Sequence, residues 1–330
     1  MDLSKFISGE DKDEKKIVHK KKRIIIAANY GGMCNRLKGW ISVLRIALNS
    51  KPQMTPKLYW PKNDLCGCNF KDLFWNSPWE VNGIQGYDKD KNIDVIDTWR
   101  FITFEGDEIK RDFAKVYPLK NGNGKDIDFE YDRIPQGIRD SILLYLNELK
   151  PIENISKSVE EYSKKFDITN RIGVHVRRGD FKTLDDGRGK ISTNEDFFKR
   201  MDELIKENPE VKFYLTTDGI EVEKEYKERY KDKIISCPRV NQERDRDSVL
   251  AAQEALIDLL LLSKTKHILG TYLSSFTEMA WWFGNCNAKI EIMGDHKIKE
   301  KEKVIKNLHG RGFVCVTKFW NGIIRRVKQN

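Results

Sequence analysis

The stretch that decides the fold is "RIIIAANYGGMCNRLKGWISVLRIAL", residues 23–48. Ile24, Ile25 and Ile26 run into Ala27 and Ala28 and stop at Asn29. A short, continuous apolar run of this kind suits a strand covered on both faces, as in a parallel sheet. Beyond the Gly31–Gly32 pair the period changes. Leu37, Ile41, Leu44 and Leu48 recur three or four residues apart, which puts them on one side of a helix. The pattern predicts a strand over 23–29 and a helix directly after it. Strand, glycine turn, helix is the opening unit of a doubly wound α/β fold.

The second half of the chain repeats that alternation. "RIGVHVR", 171–177, reads as a strand, followed by a helix over about 194–207 and a strand at 211–216. Helices at 221–231 and 245–263, a strand at 266–270 and a helix over about 275–284 complete the series. Strands separated by helical crossovers predict parallel pairing. Residues 136–166 look helical, and "DITN" then leads into the strand at Arg171. The expected organisation is a basic leader at 1–22, an N-terminal α/β domain at 23–168 and a C-terminal one at 169–330, facing each other. Residues 50–135 carry Trp60, Trp75, Trp79 and Trp99 among polar turns, and few elements can be assigned there. Those tryptophans suit either core packing or stacking on sugar rings.

Composition narrows the class. With 39% hydrophobic and 34% charged residues, the 330-residue chain reads as a soluble globular protein. No apolar run approaches the ~18 residues of a membrane span; the longest, 255–262, contains Asp258. The N-terminus mixes both charges without the apolar core of a signal peptide, so a cytoplasmic location is expected. The six cysteines form no regular framework, and Cys66–Gly67–Cys68 has no second pair at metal-ligand spacing. Reduced thiols and no metal follow as expectations. A net charge of +9 suits an anionic ligand: a nucleotide, a nucleic acid or an acidic membrane surface.

The candidate site residues cluster at strand ends, where ligands of parallel sheets bind. Arg177 and Arg178 close the strand at 171–177. Gly173, His175 and Arg177 share one face of it, and Val174 and Val176 share the other. A guanidinium fork holds two phosphate oxygens at once, with a charge that does not titrate away; an ion pair between Arg178 and Asp180 is the structural alternative. In "LGTYLSSFTEMAWW", 269–282, Ser274 and Ser275 open a helix. Free N–H groups there make a phosphate site, unless one serine simply caps the helix with Glu278 completing a capping box. Asp258 offers two oxygens to a donor pair such as that of guanine, or else lies on a wet face with Asp247, Ala251 and Glu254. Asp218, in "LTTDG", either orients a ligand or an arginine, or caps the helix that follows. On the first domain Gly31 and Gly32 let backbone approach a ligand, with Asn35 in the same turn and Arg36 adding a positive group. Neither a G-x-G-x-x-G fingerprint nor a P-loop is present, which disfavours dehydrogenases and P-loop kinases. The Asp-x-Asp triplets at 11–13, 88–90, 126–128 and 245–247 follow no apolar strand directly and are discounted as metal sites.

"HVRRGD", 175–180, resembles the His-x-Arg-Arg-x-Asp motif of the α1,2- and α1,6-fucosyltransferases. "YLTTD" at 214–218, "IDLLLLSKTKHILGT" at 257–271 and "SSF" at 274–276 are similar to that family in order and approximate spacing. The resemblance covers mainly residues 170–285; the first domain joins it only through "GGMCNR". It implies two facing Rossmann-like domains (the GT-B arrangement), with GDP-fucose as donor and a glycan as acceptor. No metal and no nucleic acid are needed. By the resemblance, Arg177 binds the β-phosphate and stabilises the departing GDP, and Ser275, or the interchangeable Ser274, touches the diphosphate. Asp258 and the backbone near His175 read the guanine, and Asp218 matches an acidic position of the family. Where the animal core enzymes carry a glutamate as base, this chain has Asp185 beside Asp186, in a stretch that also reads as a surface loop. Another nucleotide sugar as donor, and a non-catalytic nucleotide- or polyanion-binding protein, are the competing expectations.

Overall fold

The computed structural model describes residues 23–50, 52–75, 80–84, 93–97, 101–104, 116–118, 136–179, 192–241, 245–272 and 274–294. Its strands form an α/β arrangement of two parallel sheets. In the first, β1 (Ile24–Ala28) lies between β2 (Thr55–Tyr59) and β3 (Ile93–Ile96), both parallel to it. Pro56 lacks a ladder donor and is tolerated because β2 is an edge strand. Helix α1 (Met33–Asn49) follows the glycine turn and is enclosed on nearly every side, Lys38 and Arg45 included. Its sequence predicts a single apolar stripe; enclosure is wider because α1 packs on β1, on α2 (Gln136–Leu146) and on α7 (Ser275–Phe283). A two-stranded antiparallel pair, β4 (Ile102–Phe104) and β5 (Val116–Pro118), stands apart from the sheet.

The stretch expected to be helical over 136–166 is two helices, α2 and α3 (Glu153–Lys165). Pro151 separates them: it cannot donate to a helix, it disfavours helical backbone at Lys150, and it bridges to Phe74 instead.

The second sheet has the order β10-β9-β6-β7-β8, all parallel. These are β6 (Ile172–Val176), β7 (Phe213–Thr217), β8 (Ile234–Ser236), β9 (His267–Gly270) and β10 (Lys289–Ile292). The chain runs outward from β6 through α4 (Asn194–Glu207), β7 and α5 (Ile220–Tyr230) to β8. It then returns along α6 (Val249–Leu262) to β9 on the other side of β6. The order therefore reverses between β6 and β9, and in the first sheet between β1 and β3. Ligands of open α/β sheets bind beyond the carboxyl ends of the strands at such reversals.

Val174 and Val176 pack with Phe197 and Met201 of α4 on one face of β6. A second apolar cluster contains Ile25, Leu37 and Trp40 from the first half together with Leu256, Leu259, Trp281 and Trp282 from the second. Within that contact Lys38 of α1 forms an ion pair with Glu278 of α7, both nearly shut off from water. Among the described residues no helix is long and apolar enough to cross a membrane, and the described cysteines are buried free thiols.

Candidate functional site

The reversal between β6 and β9 places Arg177 and Thr271 side by side. The Thr271 hydroxyl donates to the His175 carbonyl and accepts the Arg177 N–H, each at 2.9 Å, which ties the two strand ends together. One strand over, Asp218 follows β7. It accepts the Arg178 N–H at 2.7 Å and pairs with the guanidinium groups of Arg177 at 3.1 Å and Arg246 at 3.4 Å. Burial alone would raise the Asp218 carboxyl. Arg177, the N–H groups of Arg178 and Gly179, and Arg246 outweigh burial and hold it below the ordinary value. Asp218 is thus an ionised anchor between two cations. The sequence left Asp218 open between this role and a helix cap. The helix cap is Gly219, with no side-chain bond, and Asp218 serves the arginines.

Gly179 has a local steric reason. A Cβ there would lie 2.6 Å from Asp218 Oδ2 and 3.0 Å from Arg246 Nη2, so a side chain would push apart the Asp218–Arg246 pair.

The adjacent arginines divide their roles. Arg178 is buried, with its guanidinium bonded to Asn194 Oδ1 at 2.6 and 3.1 Å and to the Arg177 carbonyl at 2.8 Å. It braces the start of α4 against the strand end and leaves Arg177 to line the crevice. Asp180, expected to pair with Arg178, and the base candidates Asp185 and Asp186 lie outside the described residues.

Ser274 is the residue before α7 and makes no side-chain cap bond. The capping box expected with Glu278 does not form, because Glu278 is engaged by Lys38. Among the described residues no side chain caps the first N–H groups of α7, beginning at Ser275, at the positive end of the helix dipole. Beneath them His175 stacks on Phe276 at 4.7 Å between ring centres, and its Nδ1 lies 2.7 Å from Thr277 Oγ1. Burial, reinforced by the charge of Arg177, pushes the imidazole down to about 3. His175 is a neutral support for the first turn of α7.

On the first sheet, Asn29 follows β1. Its Oδ1 accepts the Gly31 N–H and its Nδ2 donates to Asp97 Oδ1, both at 2.9 Å. Gly32 precedes α1 without a side-chain cap, and Asn35 stands half-buried in the first turn beside Gly31. Arg36, expected to face a ligand, is instead a brace. Its guanidinium is buried and donates to the carbonyls of Gly31 and Pro61 at 2.5 Å and to Asn63 Oδ1 at 2.8 Å. Backbone carbonyls of the turn satisfy it where the sequence suggested an anion.

The two crevices are neighbours. Burial pushes the Cys34 thiol, in the first turn of α1, up to about 12, and the charges of Lys38 and Arg177 both act against that rise. The loop at 63–68 docks on the segment that carries Arg246: the Gly67 N–H donates to the Arg246 carbonyl at 2.8 Å. A Cβ on Gly67 would lie 1.8 Å from the Asp247 backbone. The flanking thiols of Cys66 and Cys68 are 3.7 Å apart, and this hydrogen bond, assisted by Arg36 against burial, lowers Cys66 to about 7. Among the described residues no group of three side chains is placed to hold a metal ion.

Asp258 sits elsewhere. It is 3% exposed and so buried, while Asp247, further along the face read from the sequence, is exposed. Tyr214 donates to one oxygen at 2.8 Å and Arg239 pairs with the other. Tyr214 precedes Asp218 by four residues, about 13 Å of strand, so Asp258 lies down the flank of β7 from the arginine cluster. Trp60 belongs to the core, Trp75 is 71% exposed, and Trp79 and Trp99 lie outside the described residues. Sequence reasoning missed Arg246, Asn194, Asn29 and Asp97. Arg246 was inside a discounted Asp-x-Asp triplet, and the other three carry no local signal.

No family model matches the chain, and no curated protein matches it. Among solved structures it is similar to NodZ α-1,6-fucosyltransferase from Bradyrhizobium. The crystal soaked with GDP-fucose is 17% identical, with 80% of this chain and 93% of that chain covered and a TM-score of 0.47. A variant of FUT1 from Arabidopsis thaliana in complex with GDP is 15% identical, covering 85% of this chain and 71% of that one, with a TM-score of 0.45. The apo-form of POFUT1 is 9% identical, covering 85% and 100%, with a TM-score of 0.46.

Proposed function

We propose that the chain is a glycosyltransferase that takes fucose from GDP-fucose and joins it, with inversion and without a metal, to a hydroxyl of a glycan. The observation that carries the reading is the Arg177–Asp218–Arg246 cluster at the β6/β9 reversal, beside the uncapped start of α7. When the bond between the sugar C1 and the diphosphate breaks, negative charge grows on the phosphate oxygens. Fixed cations and helix N–H groups already aimed at that position stabilise the transition state more than the ground state. In this reading Arg177 takes the β-phosphate in its fork, Arg246 adds a second cation, and the first turn of α7, from Ser275 on, supplies N–H donors; the Ser274 N–H itself is spent on the Thr271 carbonyl. Those groups do the charge-neutralising work that a divalent cation performs in other transferases.

The donor's identity rests on the motif resemblance of "HVRRGD" and its companions. Asp258 reads guanine in this proposal by exchanging Arg239 for the base, whose ring N–H and amino group present a similar pair of donors. The N-terminal half supplies the acceptor side.

The test is turnover of GDP-fucose, GDP-mannose, UDP-glucose and ADP-glucose with EDTA present, read as nucleoside diphosphate released, over a panel of free mono- and oligosaccharides. Release from GDP-fucose well above the other three supports the proposal. Preferential release from another sugar nucleotide keeps the architecture but replaces the donor. Release from none, with salt-steep binding to polyanions, favours a binding protein.

A further inference from the structure

Each sheet reverses its strand order once, and the two reversals carry opposite charges. At β6/β9 the group is Arg177; at β1/β3 it is Asp97. Ile96 pairs with Ala27 in the register, so Asp97 stands level with the last residue of β1. Asn29 holds one carboxylate oxygen at 2.9 Å, and through its own Oδ1 it also holds the glycine turn that opens α1. Among the described residues no hydrogen bond reaches the other oxygen. The Asp97 side chain meets solvent, yet the protein around it raises its carboxyl, and the Asn29 bond offsets only part of that rise. Tyr30 stands near Asp97, its phenol feeling the carboxylate's charge; it is 45% exposed, with its ring held edge-on by Tyr59 at 5.7 Å. An exposed aromatic face beside a carboxylate matches a sugar ring, which offers an apolar face and hydroxyl edges.

We infer that Asp97 is the general base of the transfer and that Tyr30 forms the floor of the acceptor subsite, a site for a sugar hydroxyl. The inference rests on the transferase reading above. The acceptor O–H proton passes to the open oxygen of Asp97 while the acceptor oxygen bonds to C1 of the donor sugar. The C1–O bond to the diphosphate breaks on the opposite side, and its electron pair leaves with GDP, held by Arg177. The titratable groups facing Asp97 among the described residues are Tyr30 and, behind it, Tyr59. Burial, reinforced by the neighbouring Tyr59, pushes the Tyr30 phenol up, so it stays neutral through the range in which a carboxylate titrates.

The experiment measures GDP release from GDP-fucose by the full chain, in water alone and with the saccharide panel, beside GDP calorimetry. The variants are Asp97→Asn, Asp97→Glu, Tyr30→Ala, Asp185→Asn and Asp186→Asn. Asp97→Asn is expected to lower kcat about 10²–10⁴-fold, to erase the acid limb of the kcat/KM profile, and to leave GDP affinity within about twofold. Asp97→Glu should recover part of the rate, and Tyr30→Ala should raise the acceptor KM with kcat largely kept. Wild-type turnover by Asp97→Asn, loss of GDP binding along with its turnover, or an acid limb that only Asp185→Asn or Asp186→Asn removes would each overturn the assignment. A wild type that binds GDP without turning over GDP-fucose in any condition also overturns it. A wild type that does not bind GDP contradicts the donor reading itself, and the base falls with it.

Discussion

The ion pair between Lys38 and Glu278 joins the helix after the glycine turn to the helix after the serine turn, and its removal has a calculable consequence. The two side chains are 4% and 8% exposed, so water does little to screen either charge. Lys38→Met leaves the Glu278 carboxylate buried without its cation, and Glu278→Leu leaves the ammonium. Breaking a buried pair from one side costs about 3–5 kcal/mol, whereas replacing both partners with apolar groups is often neutral or stabilising. Against a typical stability of about 5–15 kcal/mol, either single variant should lose about a fifth or more of it, and the double variant should lie near wild type. The resulting coupling energy, the two single costs together or about 6 kcal/mol and more, far exceeds what independent sites show. Urea unfolding followed by tryptophan fluorescence reads it, since Trp40, Trp281 and Trp282 are buried in the same cluster. GDP affinity should follow the same pattern. Single variants within about 0.5 kcal/mol of wild type, or single costs that simply add in the double variant, would refute the claim that the pair docks α1 on α7.

Three further outcomes are expected. The unfolded chain takes up a proton at His175 near the ordinary value of about 6.5, while the folded protein resists until about 3. Stability is therefore full above pH 6.5 and falls as pH drops toward 3, with a slope of up to about 1.4 kcal/mol per pH unit. Unfolding curves between pH 4.5 and 7 should show His175→Gln flattening most of that slope, the remainder coming from His267, also held low by burial; an unchanged slope contradicts the neutral buried imidazole. Gly67→Ala forces a side chain into the Asp247 backbone and should destabilise by about 1–3 kcal/mol, with weaker GDP binding through Arg246; a variant as stable as wild type shows that the loop does not dock there. Asp258→Asn should remove discrimination of GDP over ADP and UDP in a calorimetric competition, and retained discrimination moves base recognition elsewhere.

Much of the fold was legible because burial leaves a pattern. The isoleucines of β1, the valines of β6 and the crossovers of the second half announced parallel sheets. Strands β8 and β10 were missed because they are short, partly exposed edges, and "KIEI" has too few residues to separate from loop. Pro56 obscured β2, since proline fits a strand only where no donor is needed, and edge position is a property of the sheet. The site was half legible. Arg177 and the serine turn stand at strand ends in sequence as in space. The partners that decide their roles do not: Asp97 is 68 residues from Asn29, and Arg246 is 28 from Asp218. Asp218 was ambiguous because a cap and an arginine anchor both call for an aspartate after a strand. Arg36 was misread because its partners are backbone carbonyls, which every residue type carries.

The central claim, that Arg177 is the diphosphate-binding group while Arg178 is a brace, is tested most directly by calorimetric titration of GDP, in EDTA, into wild type, Arg177→Ala and Arg178→Ala. GDP should bind wild type, Arg177→Ala should lose binding at least tenfold with little change in unfolding midpoint, and Arg178→Ala should lose stability first. Equal GDP affinity in wild type and Arg177→Ala, or no GDP binding by wild type, would contradict it.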